Sequence, residues 1–233
     1  MLAPLNPMEM PGGASPGPAT LDPDQRLGAL TLPVALTDSL RLTPEAFEQL
    51  CQANPEAVLE LAADGHLIAM TPTGGDTGAR SGELFFQIKS WARAQGGWMA
   101  FDSSTGFRLP DDAVLSTDAS LVALERWQAL TAEQRRRIPP LCPDLVVGLA
   151  SPNGASPSDA GPRGLTALRR KMAAYQSNGA RLGWLLIPQE RAVEVWGQRD
   201  GGEQGLRIEE ATWLEAGPAF PGLVIDLEPI WAE

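Results

Sequence analysis

The sequence predicts an α/β fold, an α+β sandwich with a mixed central sheet flanked by helices. Three observations predict it. Short runs rich in Val, Leu and Ile recur along the chain and read as strands. Two long segments, residues 80–95 and 165–178, repeat their apolar residues at helical spacing. These helices are interleaved with the strands, which is the pattern of a layered sheet-and-helix domain.

Residues 1–36 are rich in Pro, Gly and Ala, show no period and read as a disordered tail; residues 37–233 read as one domain. Thr43-Pro44-Glu45 opens a helix. Thr43 can cap it, Pro44 fits the first helical position, and Glu45 suits the positive end of the helix dipole. Residues 57–62 and 66–70 read as a hairpin, with Asp64-Gly65 as the turn signal. Residues 71–78 are glycine-rich and read as a loop. The helix over 80–95 places Leu84, Ile88, Trp91 and Ala92 on one side and ends at Gly96-Gly97.

Residues 98–101, 106–109 and 117–124 read as successive strands, and 131–137 as a short polar helix. Residues 142–150 read as the central strand and 151–161 as a flexible loop. Asn178-Gly179 closes the second long helix. Residues 182–187 and 192–196 form a second hairpin, and the run from Phe220 to Trp231 closes the core. Trp91, Trp127, Trp184 and Trp196 sit in apolar patterns and read as core.

Composition bounds the function. The hydrophobic fraction of 43% is that of an ordinary globular protein. No run of 18 or more apolar residues is present, so no transmembrane helix is predicted. The N-terminus lacks a basic segment followed by an apolar one, so no secretory signal is read and a cytoplasmic location is expected. Cys51 and Cys142 form no CxxC pair and read as reduced thiols. A net charge of −11 argues against tight non-specific nucleic-acid binding. One basic cluster stands apart: Arg163, Arg169, Arg170, Lys171 and Arg181. The lone His66 follows a turn with no clustered acid and reads as a surface residue. The loop 73–76 lacks the Gly-Lys-Ser ending of a phosphate-binding loop.

Two runs bear on chemistry. Asp118 begins a strand-like run, Asp-Ala-Ser-Leu-Val-Ala, and Leu145-Val146-Val147 is a buried strand interrupted by Gly148. Glycine weakens a strand interior because it contributes no packing and costs entropy. Lys171 follows on a helix. Two acids at matching ends of adjacent strands, with a lysine nearby, would suit metal-assisted phosphodiester hydrolysis. Here Gly148 stands where the second acid belongs.

Five segments, in order, resemble the Uma2 family of restriction-endonuclease-like proteins within the PD-(D/E)xK nuclease superfamily. They are LELAADGHLIAMTPTGGDTGAR, FDSSTGFRLPDDAVLSTDAS, CPDLVVGLASP, LRRKMAAYQSNGARLGWLLIP and FPGLVIDLEPIW. The resemblance spans about residues 40–232. It implies a restriction-endonuclease-like sheet, Mg²⁺ as cofactor and DNA as substrate, and leaves a homodimer open. Asp118 matches the metal-binding aspartate and Lys171 the helical lysine of the site. Glu60 and Arg80 match polar positions near it. Gly148 matches the catalytic glutamate and Thr117 a usual proline. The expectation is therefore a Mg²⁺-dependent DNA endonuclease by ancestry that is impaired at Gly148. The alternative is an inactive relative with a binding, dimerisation or regulatory role. By strand alternation, Asp144 is roughly 13 Å from Gly148, too far to share a cation with Asp118.

Overall fold

Thr43 does cap the first helix, α1 (Pro44–Ala53): its Oγ1 accepts from the Ala46 N–H at 3.2 Å, and Pro44 takes the first turn. The computed structural model describes residues 40–70, 73–151, 164–197 and 205–232. The tail read over 1–36 and most of the loop read over 151–161 lie outside these residues. α1 buries Ala46, Phe47 and Leu50 against Leu61, Leu67 and Val114. Those three residues come from a four-stranded antiparallel sheet in the order β2-β1-β5-β4. Its strands are β1 (Val58–Leu61), β2 (Leu67–Met70), β4 (Gly106–Arg108) and β5 (Val114–Ser116). The β1–β2 turn needs Gly65, which has φ +82°. A Cβ there would also fall 2.8 Å from the Leu42 carbonyl oxygen.

A second sheet has six strands in the order β10-β9-β8-β7-β6-β3. These are β3 (Trp98–Asp102), β6 (Ala119–Ala123), β7 (Leu145–Leu149), β8 (Leu182–Ile187), β9 (Ala192–Gly197) and β10 (Leu206–Glu209). β7 and β8 pair in parallel, and the other neighbours are antiparallel, so the sheet is mixed. Helix α5 (Leu165–Ser177) lies in the crossover between the parallel pair, as a parallel connection requires.

The sheet is covered on both faces, which explains why every residue of β7 is buried. On one face, α2 (Gly75–Gln95) packs Leu84, Ile88 and Ala92 over Leu145, Val147 and Leu149. On the other, α5 packs Leu168, Met172 and Tyr175 over Val146 and Leu185. Each fully buried aliphatic side chain in these layers contributes about 2 kcal/mol by removal from water. The C-terminal pair β11 (Trp213–Glu215) and β12 (Val224–Asp226), with α6 (Glu228–Trp231), seals the α2 side. Gln87 clamps it there, donating to the Asp226 carbonyl at 3.0 Å and accepting from the Asp226 N–H at 2.8 Å.

The elements depart from the sequence reading in several places, β5, β10 and β11 among them. The glycine-rich stretch read as a loop over 71–78 is helical from Gly75 onward. Gly78 and Gly82 then lie inside a helix, where each costs about 1 kcal/mol relative to alanine. Burial of Leu84, Ile88 and Ala92 below them outweighs that local preference. The strand read over 117–124 is shorter, and its last residue starts helix α3 (Leu124–Ala129). Helix α4 (Ala132–Arg136) is one residue shorter at each end than expected for 131–137, with Thr131 serving as its cap in a reciprocal capping box with Gln134. Cys51 is half-buried and Cys142 buried, both as free thiols.

Candidate functional site

Strand register brings Asp118 and Gly148 together. β6 and β7 are antiparallel with Ala119 opposite Val147, so the next position outward sets Asp118 against Gly148. The Asp118 Oδ2 accepts from the Leu149 N–H at 2.8 Å, which ties the carboxylate to the end of β7. Asp118 is half-buried, and desolvation pushes its pKa above the ordinary carboxylate value. The Leu149 N–H and the Lys171 charge oppose that rise without cancelling it.

Lys171, on α5, is fixed by a second set of contacts. Its Nζ donates to the Glu60 Oε1 at 2.6 Å and to the Ser116 carbonyl at 3.0 Å. The same Glu60 oxygen accepts from the Ser116 N–H at 2.9 Å and from its hydroxyl at 2.6 Å. The Glu60 side chain is 2% exposed and that of Lys171 15%. An ion pair this deep replaces hydration with the ammonium and two Ser116 donors around one carboxylate. Three of the four residues expected at the site, Asp118, Glu60 and Lys171, thus gather where the two sheets meet.

Asp118 and Lys171 line a pocket of about 570 Å³. Its floor is Thr117, Asp118, Gly148 and Leu149, at matching ends of β6 and β7. α5 contributes Leu168, Lys171 and Met172. The opposite wall is the first half of α2, with Thr77, Gly78, Ser81, Gly82 and Phe85. Sequence reasoning missed this wall because it took part of the stretch for a connector. The signal available was the alternation of small and hydroxyl residues at helical spacing through Thr77, Ser81 and Phe85. Ser104, Ser116 and Ser151 add further hydroxyls to the lining.

Arg80 is not part of this arrangement. It lies on another side of α2 and donates to the Ala232 carbonyl at 3.3 and 3.0 Å, holding the C-terminal turn. The expected basic cluster is dispersed as well. Arg169 chelates the buried Glu194 at 2.6–3.1 Å, and Arg181 lies 5.3 Å from the Phe220 ring centre. Arg163 lies outside the described residues. Asp144 sits at the far end of β7, where it accepts from the Ala123 N–H at 2.9 Å and pairs with Arg126 at 2.8 Å. It is a structural acid. His66 bridges to Arg41 in the first sheet, away from the pocket lining.

Gly148 leaves β7 without the carboxylate expected opposite Asp118. A hard cation such as Mg²⁺ is held by carboxylate and other oxygen donors. Among the described residues no group of three or more His, Cys, Asp or Glu side chains is arranged to hold a metal. Asp118 offers a carboxylate, as does Asp102, which pairs with Ala119 across the register and also lines the pocket; one oxygen of Glu60 is taken by Lys171 and Ser116, and Gly148 offers no side chain. The space that a side chain at 148 would enter holds apolar atoms. A Cβ there would lie 2.8 Å from the Met172 Cε and 3.4 Å from the Leu185 Cδ1.

Comparison with known proteins agrees with this architecture. A family profile described as "putative restriction endonuclease", Uma2, matches residues 44–228. The chain is also similar to a solved structure from Anabaena variabilis, described as a "putative nuclease belonging to DUF820". The two superpose with a TM-score of 0.64 at 18% identity, covering 81% of this chain and 97% of that one. That likeness shows a shared fold. No curated protein matches the chain. With the profile covering most of its length, the chain belongs to the Uma2 family of restriction-endonuclease-like proteins.

Proposed function

We propose that this protein is a DNA-directed, nuclease-type protein whose phosphodiester hydrolysis is impaired at one position. The observation that supports it is the cross-strand pair: Asp118 faces Gly148 across the register, on the floor of a pocket that Lys171 also lines. A phosphodiester entering the pocket would meet the Lys171 ammonium, whose position is set by Glu60 and the Ser116 carbonyl. That charge can stabilise negative charge developing on phosphoryl oxygens. Asp118, on the strand facing Gly148, would be the carboxylate beside them, with Asp102 of β3 also in the pocket lining. In a complete site, Mg²⁺ supplies Lewis acidity and an activated water. Without a carboxylate at position 148, that contribution is weakened in this chain. If the missing ligand is worth about 4 kcal/mol in the transition state, the rate falls roughly a thousandfold.

Gly148→Glu tests this reading. The atom nearest a new Cβ is the terminal methyl of Met172, the free end of a flexible side chain, so the glutamate can be admitted without moving a strand. The wild-type protein is expected to show little Mg²⁺- or Mn²⁺-dependent cleavage of plasmid DNA, and Gly148→Glu to raise it. Robust wild-type cleavage that disappears in Asp118→Ala would refute the impairment. The alternative, an inactive relative that keeps DNA binding or another regulatory role, draws on the same glycine. It predicts that Gly148→Glu leaves the protein without cleavage.

A further inference from the structure

We infer that the exposed ridge of α2 leading away from the pocket mouth is a track for a DNA strand. Lys89 and Arg93 hold backbone phosphates on it, and Phe86 packs against a sugar or an unstacked base. The inference rests on the nuclease-type reading of the pocket.

At 3.6 residues per turn, Gly78, Gly82, Phe86, Lys89 and Arg93 fall on one side of α2. Gly78 and Gly82 line the pocket, as do Ser81 and Phe85 on the neighbouring side of the helix. The ridge is therefore continuous with the pocket. Phe86 is 64% exposed, unusual for a phenylalanine, and it makes no ring contact among the described residues. Lys89 and Arg93 are exposed and make no ion pair among the described residues. Among the described residues, Arg108, Arg126, Arg169, Arg191 and Arg207 each pair with carboxylates, whereas Lys89 and Arg93 sit together on one ridge that adjoins the pocket. The acids of α2, Asp76 and Glu83, point to a different side of the helix, and Glu83 accepts from Gln87.

An aromatic face flanked by two unneutralised cations is the chemistry of a nucleic-acid backbone contact. From Gly82 to Arg93 the helix rises about 16 Å, which matches roughly five base steps of DNA. The glycines add to the argument. A Cβ at Gly78 or Gly82 would meet nothing within 4 Å, so the fold itself does not require glycine at either place. The bare backbone does allow a polymer to approach closely. A net charge of −11 disfavours non-specific contact over the surface as a whole, which leaves local cationic ridges such as this one to admit a strand.

Anisotropy titrations of a short labelled DNA duplex against the full-length chain, over a range of salt, test the track. The double variant Lys89→Ala/Arg93→Ala is expected to weaken binding at least tenfold at low salt. It should also flatten the log–log salt slope by about 1.8, the contribution of two phosphate contacts. Phe86→Ala should weaken binding several-fold with the slope unchanged. Gly82→Ala should raise the melting temperature and weaken binding together, opposite effects that a purely structural glycine would not give. Wild-type affinity and slope in the double variant would overturn the track, as would a wild-type protein that does not bind DNA. In the Gly148→Glu background the two readings separate. Cleavage with unchanged KM after Lys89→Ala/Arg93→Ala defeats the ridge and spares the pocket, whereas absence of both cleavage and binding defeats both.

Discussion

Lys171 Nζ lies 2.6 Å from Glu60 Oε1, and the same oxygen takes two hydrogen bonds from Ser116. The residue that best suits a catalytic lysine is therefore also a structural strut joining α5 to the first sheet. Removing one member of a buried ion pair costs about 3–5 kcal/mol, because the partner is left charged and unmatched. Lys171→Met is expected to lose about 3 kcal/mol in urea unfolding. Glu60→Gln should lose less, about 1–2 kcal/mol, because its amide oxygen can still accept from Ser116. A Lys171→Met variant within a few tenths of wild type would show that the pair does not support the fold. Cleavage assays on Lys171 variants must accordingly be referred to the folded fraction.

Asp118 should act on stability with a sign opposite to that of most carboxylates. Burial raises its folded-state pKa above the unfolded value. As pH climbs from acid, the unfolded chain ionises first, near the ordinary value of about 3.9, and so gains relative to the native state. Asp118 therefore subtracts stability as pH rises through its folded pKa, and costs nothing when both states are protonated. Asp118→Asn keeps the shape and can still accept from the Leu149 N–H. Thermal melts should place the variant above wild type at neutral pH and level with it in strong acid. A variant less stable at neutral pH would contradict the raised pKa.

Gly148 and Met172 should be energetically coupled. A Cβ at 148 would press on the Met172 methyl at 2.8 Å. Gly148→Ala alone is expected to cost about 1–2 kcal/mol through overpacking. Met172→Ala alone leaves a cavity in a fully buried layer and should cost about 2–5 kcal/mol. The pair should lose less than the sum, by at least about 0.5 kcal/mol in a double-mutant cycle. Strict additivity would mean that Met172 does not fill the space a side chain at 148 would take.

Asp144 provides a control for the site. It is buried beside Arg126 and caps the Ala123 N–H. Asp144→Ala should cost about 2–3 kcal/mol in stability, the loss expected when charge-assisted hydrogen bonds are removed from buried partners. In a Gly148→Glu background it should leave cleavage per folded molecule unchanged. Loss of cleavage without loss of stability would move the acidic centre to the other end of β7.

Much of the layered fold was legible because its strongest elements carry strong local signals. Thr43-Pro44-Glu45 specified a helix start, Asp64-Gly65 a hairpin, and Leu84, Ile88 and Ala92 a buried helical stripe. The beginning of α2 was not legible, because Gly75, Gly78 and Gly82 have the local preference of a loop and become helical only through packing further along. β10 was also silent. Its four residues, Leu206-Arg207-Ile208-Glu209, do alternate apolar and polar, but the run is short and all of it is exposed, so its pairing with β9 rests on backbone hydrogen bonds more than on burial. At the site, linear order placed Asp118, Gly148 and Lys171, and register then brought the first two face to face. The Glu60–Lys171 bond joins residues far apart in the chain, and no spacing rule could supply it. Arg80 and the basic cluster erred in the same direction, since sequence gives a charge but not the partner that neutralises it.

The way α2 is held has a consequence for when the pocket comes into being. One wall of the pocket is α2, yet the apolar face beneath it is completed by Leu214, Phe220, Ile225, Leu227, Ile230 and Trp231. During synthesis those residues leave the ribosome long after Asp118, Gly148 and Lys171 have emerged. The nascent chain can assemble much of its sheet early, but the wall that faces the substrate settles only after the segment from Leu214 to Trp231 has emerged. A ribosome-bound fragment would therefore carry the acid and the lysine without an enclosed place for them to act.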